Sequence, residues 1–206
     1  MKVSFSKRLA AYILDIMIVT LVSSFITGLI PTNEKTNSLM ENYYDLENGI
    51  TEEKIDISDF YKEMNSINYE LNREMVIQNI IIVTIYLLYF VVIPMYNNGQ
   101  TVGKKVVRIR ITSCSLDLNM NNMLIRSLIL YGIARDIISI ILILLLSKDK
   151  FINANIILNV VQVLINIVIL FMIVFKNDGR GFHDILGKTK VIEEDKKWKN
   201  FQNKNK

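Results

Sequence analysis

Hydrophobic residues gather into four long stretches: Leu9–Ile30, Met75–Tyr96, about Met123–Ser147 and about Phe151–Phe175. A helix crossing about 30 Å of hydrocarbon needs roughly 20 residues. Each stretch is long enough, so the pattern predicts four transmembrane helices, although Arg126, Arg135 and Asp136 interrupt the third. Lys2, Lys7 and Arg8 before the first stretch give it the look of a secretory signal. Its length, the interruption at Asp15 and the lack of a following small-x-small site favour an uncleaved span instead.

The polar connections differ from one another. Within residues 31–74, Phe60, Met64, Ile67, Leu71 and Met75 recur at helical spacing. The spacing predicts a helix capped by Ser58 or Asp59 and running on into the second span, while 32–50 reads as a polar loop with short helical pieces. In the connection 97–122, Val106–Thr112 comes to alternate apolar and basic residues, a strand-like pattern. A turn and second short strand over Ser113–Leu118 would complete a small hairpin with Arg108 and Arg110 toward lipid phosphates.

Charge orients these elements. The chain of 206 residues is 51% hydrophobic and 21% charged, with a net charge of +4. Residues 31–74 hold four Lys/Arg and eleven Asp/Glu, a local net of −7, so the remainder carries +11. Basic residues concentrate before the first span, in 97–122 (Lys104, Lys105, Arg108, Arg110) and in the tail 176–206. The excess of Lys and Arg on the cytoplasmic side of membrane proteins puts these three segments inside and the acidic block outside. The expected fold is an all-α membrane protein, a single domain over 1–206 with four transmembrane helices and both termini in the cytoplasm. It has an acidic extracytoplasmic helical insert (31–74), a short β-like cytoplasmic loop (97–122) and a basic tail (176–206). The bilayer is the expected partner, and no aromatic-interleaved basic patch suggests nucleic acid. Cys114 is the only cysteine, which excludes an intramolecular disulfide.

Candidate chemistry lies in the ionisable groups within the spans, which tend to pair and often mark a pathway. Asp15, Arg135 and Asp136 fall at similar depth. Adjacent helical residues point about 100° apart, which sets Arg135 and Asp136 against pairing with each other and suggests an Arg135–Asp15 pair across the first and third spans. Polar residues form one stripe per helix: Arg8, Tyr12, Asp15 and Ser23 in the first, Asn155, Asn159, Gln162 and Asn166 in the fourth. Asp15, Arg135, Asp136, Asn159, Gln162 and Asn166 thus form a candidate intramembrane polar site. The same stripes also read as structural glue between helices. Gly99-Gln-Thr-Val-Gly103-Lys104-Lys105 is one residue short of a phosphate-binding loop and lacks the Ser or Thr after its lysine. A lone His183 makes no metal site, no nucleophile–base set emerges, and neither cofactor nor enzymatic activity is expected.

Three motifs stand in order. Arg8-Leu-Ala-Ala-Tyr-Ile-Leu-Asp15 opens the first span, Gly99-Gln-Thr-Val-Gly103-Lys104-Lys105-Val-Val-Arg-Ile-Arg110-Ile follows the second, and Gly179-Arg180-Gly181-Phe182-His183-Asp184-Ile-Leu-Gly187 follows the last. Together they resemble the RDD family of small bacterial membrane proteins, named for an arginine and two aspartates, over Lys7–Ile192 apart from the 31–74 insert. The resemblance implies a multi-pass protein of the bacterial plasma membrane, with Arg8 as the family arginine, Asp15 as the first aspartate and Asp184, or alternatively Asp136, as the second. It also implies a role suggested for the family, transport of a small cation or proton included. The long outer segment departs from compact members, and leaves two readings open: a small transporter, as a homo-oligomer where four helices are too few for a path, or a scaffold whose outer segment binds a protein partner. Val102-Gly-Lys-Lys-Val-Val107 and Leu186-Gly-Lys-Thr-Lys-Val191 also resemble each other. They read either as a two-hairpin repeat or, as the simpler expectation, as two turn-and-strand segments on a basic surface.

Overall fold

The computed structural model describes residues 2–51, 56–114 and 117–194. It is mostly helical. The helices are α1 (Phe5–Gly28), α2 (Glu34–Thr51), α3 (Ile57–Glu74), α4 (Val76–Tyr96), α5 (Val102–Val106), α6 (Met120–Leu130), α7 (Ile133–Leu145), α8 (Lys148–Phe175) and α9 (Phe182–Leu186). The strands are β1 (Ile109–Ser113) and β2 (Thr189–Glu193). By length and composition α1, α4 and α8 are each able to cross a membrane, and α6 with α7 adds a fourth crossing if that bent pair is one span. The third span is therefore not the straight helix the hydropathy pattern predicts. Its halves meet at 73° across Tyr131 and Gly132. Gly132 has φ of 71°, a left-handed conformation that ends a helix and that residues with a Cβ adopt at a cost.

The chain forms two compact units, one of Met1–Val22, Thr84–Ile133 and Val163–Lys206, the other of Ser23–Val83 and Ala134–Gln162. In the first, Val3, Ala11, Val91, Ile109, Ile111, Met123 and Val191 make one core cluster, and Val19, Tyr89 and Phe90 make a second that includes Tyr131 at its edge. Of the stripe expected along α1, Asp15, Val19 and Ser23 are buried while Tyr12 is 38% exposed, and Met17 and Leu21 on other faces are exposed. Within α4 the turns widen to a π-helix over Leu88–Val92, just before Pro94. Proline has no N–H and its ring crowds the carbonyl four residues earlier, which here is that of Phe90. The Phe90 carbonyl instead accepts a hydrogen bond from Ser127 Oγ at 3.1 Å.

The strand expected in the 97–122 connection forms over its second half, but not as a local hairpin. Residues 115 and 116, within the expected second strand, lie outside the described residues. The partner of β1 is β2, antiparallel, with Ile111 opposite Val191. This pairing exposes a repeat in a register four residues from the one the Gly-Lys match suggests. Gly99 and Gly179 both have positive φ, α5 and α9 follow, Arg108 and Lys188 both have positive φ, and then come β1 and β2. All these features recur at a spacing of 80 residues. Ile111 and Val191 are equivalent in that register and face each other at the centre of the sheet, so the two motifs are related by a local pseudo-two-fold. Backbone geometry carries the repeat, and Lys104 and Asp184 occupy equivalent positions within it.

In the second unit, residues 34–51 are one continuous helix rather than the polar loop expected. Asn33 Oδ1 caps α2, accepting from the N–H of Thr36 at 2.7 Å and its hydroxyl at 2.8 Å. Lys35 Nζ clasps Glu74 at 2.7 Å and Glu70 at 3.5 Å on α3, and Asn33 Nδ2 donates to Glu74 at 3.2 Å. Pairing between α2 and α3 supplies the order that polar periodicity alone did not suggest. The N-cap of α3 is Asp56 rather than Ser58 or Asp59, and Met75 interrupts the helix before α4 instead of letting it run through. Tyr69, Ile143 and Phe151 form this unit's core.

The Phe90–Ser127 contact yields a prediction. Ser127→Ala should destabilise the protein by about 1–3 kcal/mol, the cost of leaving a buried carbonyl unpaired. In a Pro94→Ala background the same change should cost less, because the backbone N–H restored at position 94 can return to that carbonyl. Thermal unfolding of the four variants in detergent checks this, and equal costs in both backgrounds would refute it.

Candidate functional site

Two carboxylates organise the first unit, and each is fully buried. Asp15, from the middle of α1, accepts four hydrogen bonds. Tyr89 Oη and the Gly103 N–H donate to Oδ1, each at 2.8 Å, while Thr101 Oγ1 at 2.5 Å and Lys104 Nζ at 3.0 Å reach Oδ2. Three of these donors come from the short segment that opens α5. A Cβ on Gly103 would stand 2.5 Å from the Ala11 carbonyl oxygen and 2.8 Å from Asp15 Oδ1, so a glycine is what lets α5 lie against α1. Lys104 Nζ also lies 3.0 Å from Thr101 Oγ1 and 3.2 Å from Tyr131 Oη.

Asp184 is the counterpart in the repeat, with the charges exchanged. Arg126 Nη1 donates to its Oδ1, Arg8 Nη1 lies 3.3 Å from Oδ2, and Thr189 Oγ1 lies 3.3 Å from Oδ1. Its Oδ2 also accepts the Gly181 N–H at 3.2 Å, closing the first turn of α9. His183 Nε2 is 3.4 Å from Oδ2. Burial, and then the cations Arg126, Arg8 and Lys104, hold the His183 imidazole well below its ordinary pKa, so it is neutral at pH 7.

These groups border a cavity of about 280 Å³. Arg8, Lys104, Arg126, His183, Tyr12 and Asn166 contribute its polar lining. Leu9, Leu130, Ile169, Leu170 and Ile173 contribute apolar walls.

Arg135 and Asp136 belong to the second unit and do not meet Asp15. Arg135 Nη1 pairs with Asp136 Oδ1 at 2.8 Å, and Nε and Nη2 donate to Asn159 Oδ1 at 3.0 and 2.6 Å. Nη2 also reaches Asn155 Oδ1 at 3.3 Å, to which Ser139 Oγ donates at 3.3 Å. The expected Arg135–Asp15 pair is therefore replaced by two others. The 100° separation of adjacent residues does not keep Arg135 from Asp136, because a long guanidinium folds back over its own turn. The six-residue candidate site divides accordingly, with Asp15 and Asn166 in the first unit and Arg135, Asp136, Asn159 and Gln162 in the second. In the second unit Arg135, Asp136 and Ser139 border a smaller cavity of about 160 Å³ with Asn72 and Asn79.

Of the motif residues, Arg8, Asp15, Gly103, Lys104, His183 and Asp184 take part in the first unit's buried network. Gly187 packs beside it, where a Cβ would come 3.1 Å from that of Arg126, and Gly99 shapes the turn before α5. Sequence reasoning passed over Tyr89, Thr101, Arg126 and Thr189 as site members. Arg126 had left a signal, as a lone cation in an apolar stretch without a partner assigned.

Residues 2–188 match the model of the RDD family. No curated protein and no solved structure matches the chain.

Two predictions follow from the buried pairs. Asp15→Asn and Lys104→Gln should each cost about 3–5 kcal/mol, as expected for breaking a buried pair. Their double variant should recover at least about 1 kcal/mol of the summed loss, whereas Asp15→Asn with Arg135→Gln should be additive within about 0.5 kcal/mol. Unfolding free energies in detergent decide this, and coupling to Arg135 would contradict the pairing. The second concerns His183. The unfolded imidazole binds a proton below about pH 6.5 while the folded one stays neutral, so stability should fall as pH drops from 7 to 5. The slope attributable to this residue approaches about 1.4 kcal/mol per pH unit. The His183→Gln variant should show a shallower pH dependence, and an unchanged one would refute the assignment.

Proposed function

The chain belongs to the RDD family, and from that premise we propose that this membrane protein is a small, non-enzymatic transporter of the bacterial plasma membrane that exchanges a small cation for a proton at Asp15. It crosses the membrane four times, with both termini in the cytoplasm and residues 31–74 outside. The basic segments support this orientation by meeting in one unit. β1, from the 97–122 connection, pairs with β2, from the tail, and Lys7 Nζ forms an ion pair with Glu193 at 2.8 Å. A shared membrane side for all three is the simplest way to make these contacts.

The observation that carries the exchange reading is the buried Asp15–Lys104 pair. Lys104 replaces Arg135 as the internal cation that competes for the carboxylate. A cation entering at Asp15 displaces Lys104 Nζ, which releases its proton, so one positive charge enters as one leaves and the buried charge stays constant. Tyr131 Oη, 3.2 Å from Nζ, is positioned to hold the displaced amine. A homo-oligomer supplies the path that four helices alone are too few to enclose.

A second reading, a scaffold without transport, rests on the acidic α2–α3 pair, where Tyr44, Ile57 and Tyr61 are exposed and offer apolar anchors to an outer protein partner. Protein reconstituted into liposomes with an internal pH dye separates the two. Exchange predicts a pH change driven by a sodium or potassium gradient, reduced at least tenfold in Asp15→Asn and in Lys104→Met. Tyr131→Phe, which leaves the ion pair intact, should slow it less. An Asp15→Asn protein that exchanges as fast as wild type overturns the reading. A wild-type protein that gives no pH change also overturns it and leaves the scaffold.

A further inference from the structure

Two short helices of the first unit turn apolar pairs outward. In α5, Gly103 and Lys104 are buried, while Val102 and Val106 are exposed, Val106 by 66%. In α9, His183 and Asp184 are buried, while Phe182 and Leu186 are exposed. Residues four apart share one face of a helix, so each helix packs its charged member inward and shows an apolar pair outward. That is the reverse of what a water-facing helix carries. The pairs are equivalent in the repeat, Val102 with Phe182 and Val106 with Leu186.

Both helices stand at the ends of long apolar helices, α5 shortly after α4 stops at Tyr96 and α9 shortly after α8 stops at Phe175. Tyr96 is strongly exposed, and tyrosine gathers where a membrane meets water. Cations accompany the apolar pairs. Lys105, Arg108 and Lys188 are exposed, and Arg108 and Lys188 are the equivalent left-handed residues of the repeat. Residues 102–108 contain no carboxylate, and the one within 182–188, Asp184, is buried. The outward surface of each segment is therefore apolar and basic, without acid. That chemistry complements an anionic lipid leaflet, where apolar side chains enter the acyl boundary and Lys or Arg meets the headgroups. A helix of five residues is also far too short to hold itself in water. The buried ion pairs steady its inner face, and lipid is suited to steady the outer one.

We propose that α5 and α9 together form a docking surface for the headgroup region of an anionic lipid leaflet. Val102, Val106, Phe182 and Leu186 enter the boundary between headgroups and acyl chains. Lys105, Arg108 and Lys188 meet the negative headgroups beside them. Because the inner faces of the same two helices carry Lys104 to Asp15 and Asp184 to Arg126, lipid bound on the outer faces stabilises the buried pairs. The surface is argued without reference to exchange at Asp15 and without regard to which side of the membrane it faces, so it stands or falls separately from both readings.

The test uses the full-length protein and two readouts. For position, Val106→Cys, Leu186→Cys or Lys190→Cys is placed in a Cys114→Ser background, labelled with bimane, and reconstituted into phosphatidylglycerol vesicles containing phosphatidylcholine with brominated acyl chains. Lys190 is the control, being exposed on the face of the sheet opposite the buried Ile111 and Val191. Bromolipid should quench the labels at 106 and 186 at least threefold more than the label at 190. For charge, thermal unfolding in detergent is followed with dioctanoyl phosphatidylglycerol and with dioctanoyl phosphatidylcholine, since a ligand that binds only the folded state raises the unfolding temperature. Phosphatidylglycerol should stabilise at concentrations at least tenfold lower. The triple variant Lys105→Gln, Arg108→Asn, Lys188→Asn should lose that preference; asparagine is used at 108 and 188 because it tolerates positive φ. The quenching readout needs no charge variant, so it decides the matter even if the triple variant does not fold. Equal quenching at all three positions overturns the proposal, as does a label at 106 or 186 that is shielded from water but not quenched, which reports a protein partner instead. A phosphatidylglycerol preference that is absent, or unchanged in the triple variant, also overturns it.

Discussion

Two carboxylates with no exposure at all govern the first unit. Removing a carboxylate from water costs several kcal/mol unless a cation and further donors replace the lost hydration. Asp15 and Asp184 are each provided for in this way, and meeting that requirement decides where neighbouring segments go. Asp15 gathers α1, α4 and the opening turn of α5. Asp184 gathers α1, α6, α9 and the start of β2. α1 therefore answers to both, supplying the carboxylate to one cluster and Arg8 to the other. Removing either carboxylate alone leaves a buried cation behind, the costly way to break such a pair.

The repeat of short helix, left-handed residue and strand shows how one backbone device serves opposite charges. Lys104 and Asp184 occupy equivalent positions, and each reaches an oppositely charged partner on a long helix: Asp15 on α1, Arg126 on α6. β1 and β2 then join about a pseudo-two-fold through Ile111 and Val191. The Gly-Lys similarity between the two segments pointed to a repeat but in the wrong register. Side chains at equivalent positions differ as far as reversal of charge, while the positive φ angles at Gly99 and Gly179 and at Arg108 and Lys188 share the register.

The second unit solves a milder problem. Arg135 and Asp136 are 30% and 39% exposed in their side chains, so their pair is not under the same obligation as the fully buried ones. Arg135 meets its needs from a sequence neighbour and from asparagines on α8. The polar stripe along α8 accordingly acts as helix–helix glue at Asn155 and Asn159, while Asn166 borders the first unit's cavity.

Much of this molecule was legible from the sequence by itself. Hydropathy located three helices long and apolar enough to cross a membrane and the bent pair α6–α7, since apolar length is a property of contiguous residues. The motif residues Arg8, Asp15, Gly103, Lys104, His183 and Asp184 belong to the buried network, whereas Tyr89, Thr101, Arg126 and Thr189 carried no motif to mark them. What only the tertiary structure decided was partnership: Lys104 rather than Arg135 for Asp15, Arg126 with Arg8 for Asp184, and β2 rather than a local hairpin for β1. It also decided the bend at Gly132 and the joining of residues 34–51 into one helix against α3. The physical reason is common to all of these. A buried charge or an open strand edge states in the sequence that it needs a partner, but many residues could serve. Which one does depends on the helix rotations and chain crossings that bring distant segments within about 3 Å of each other, the reach of a hydrogen bond.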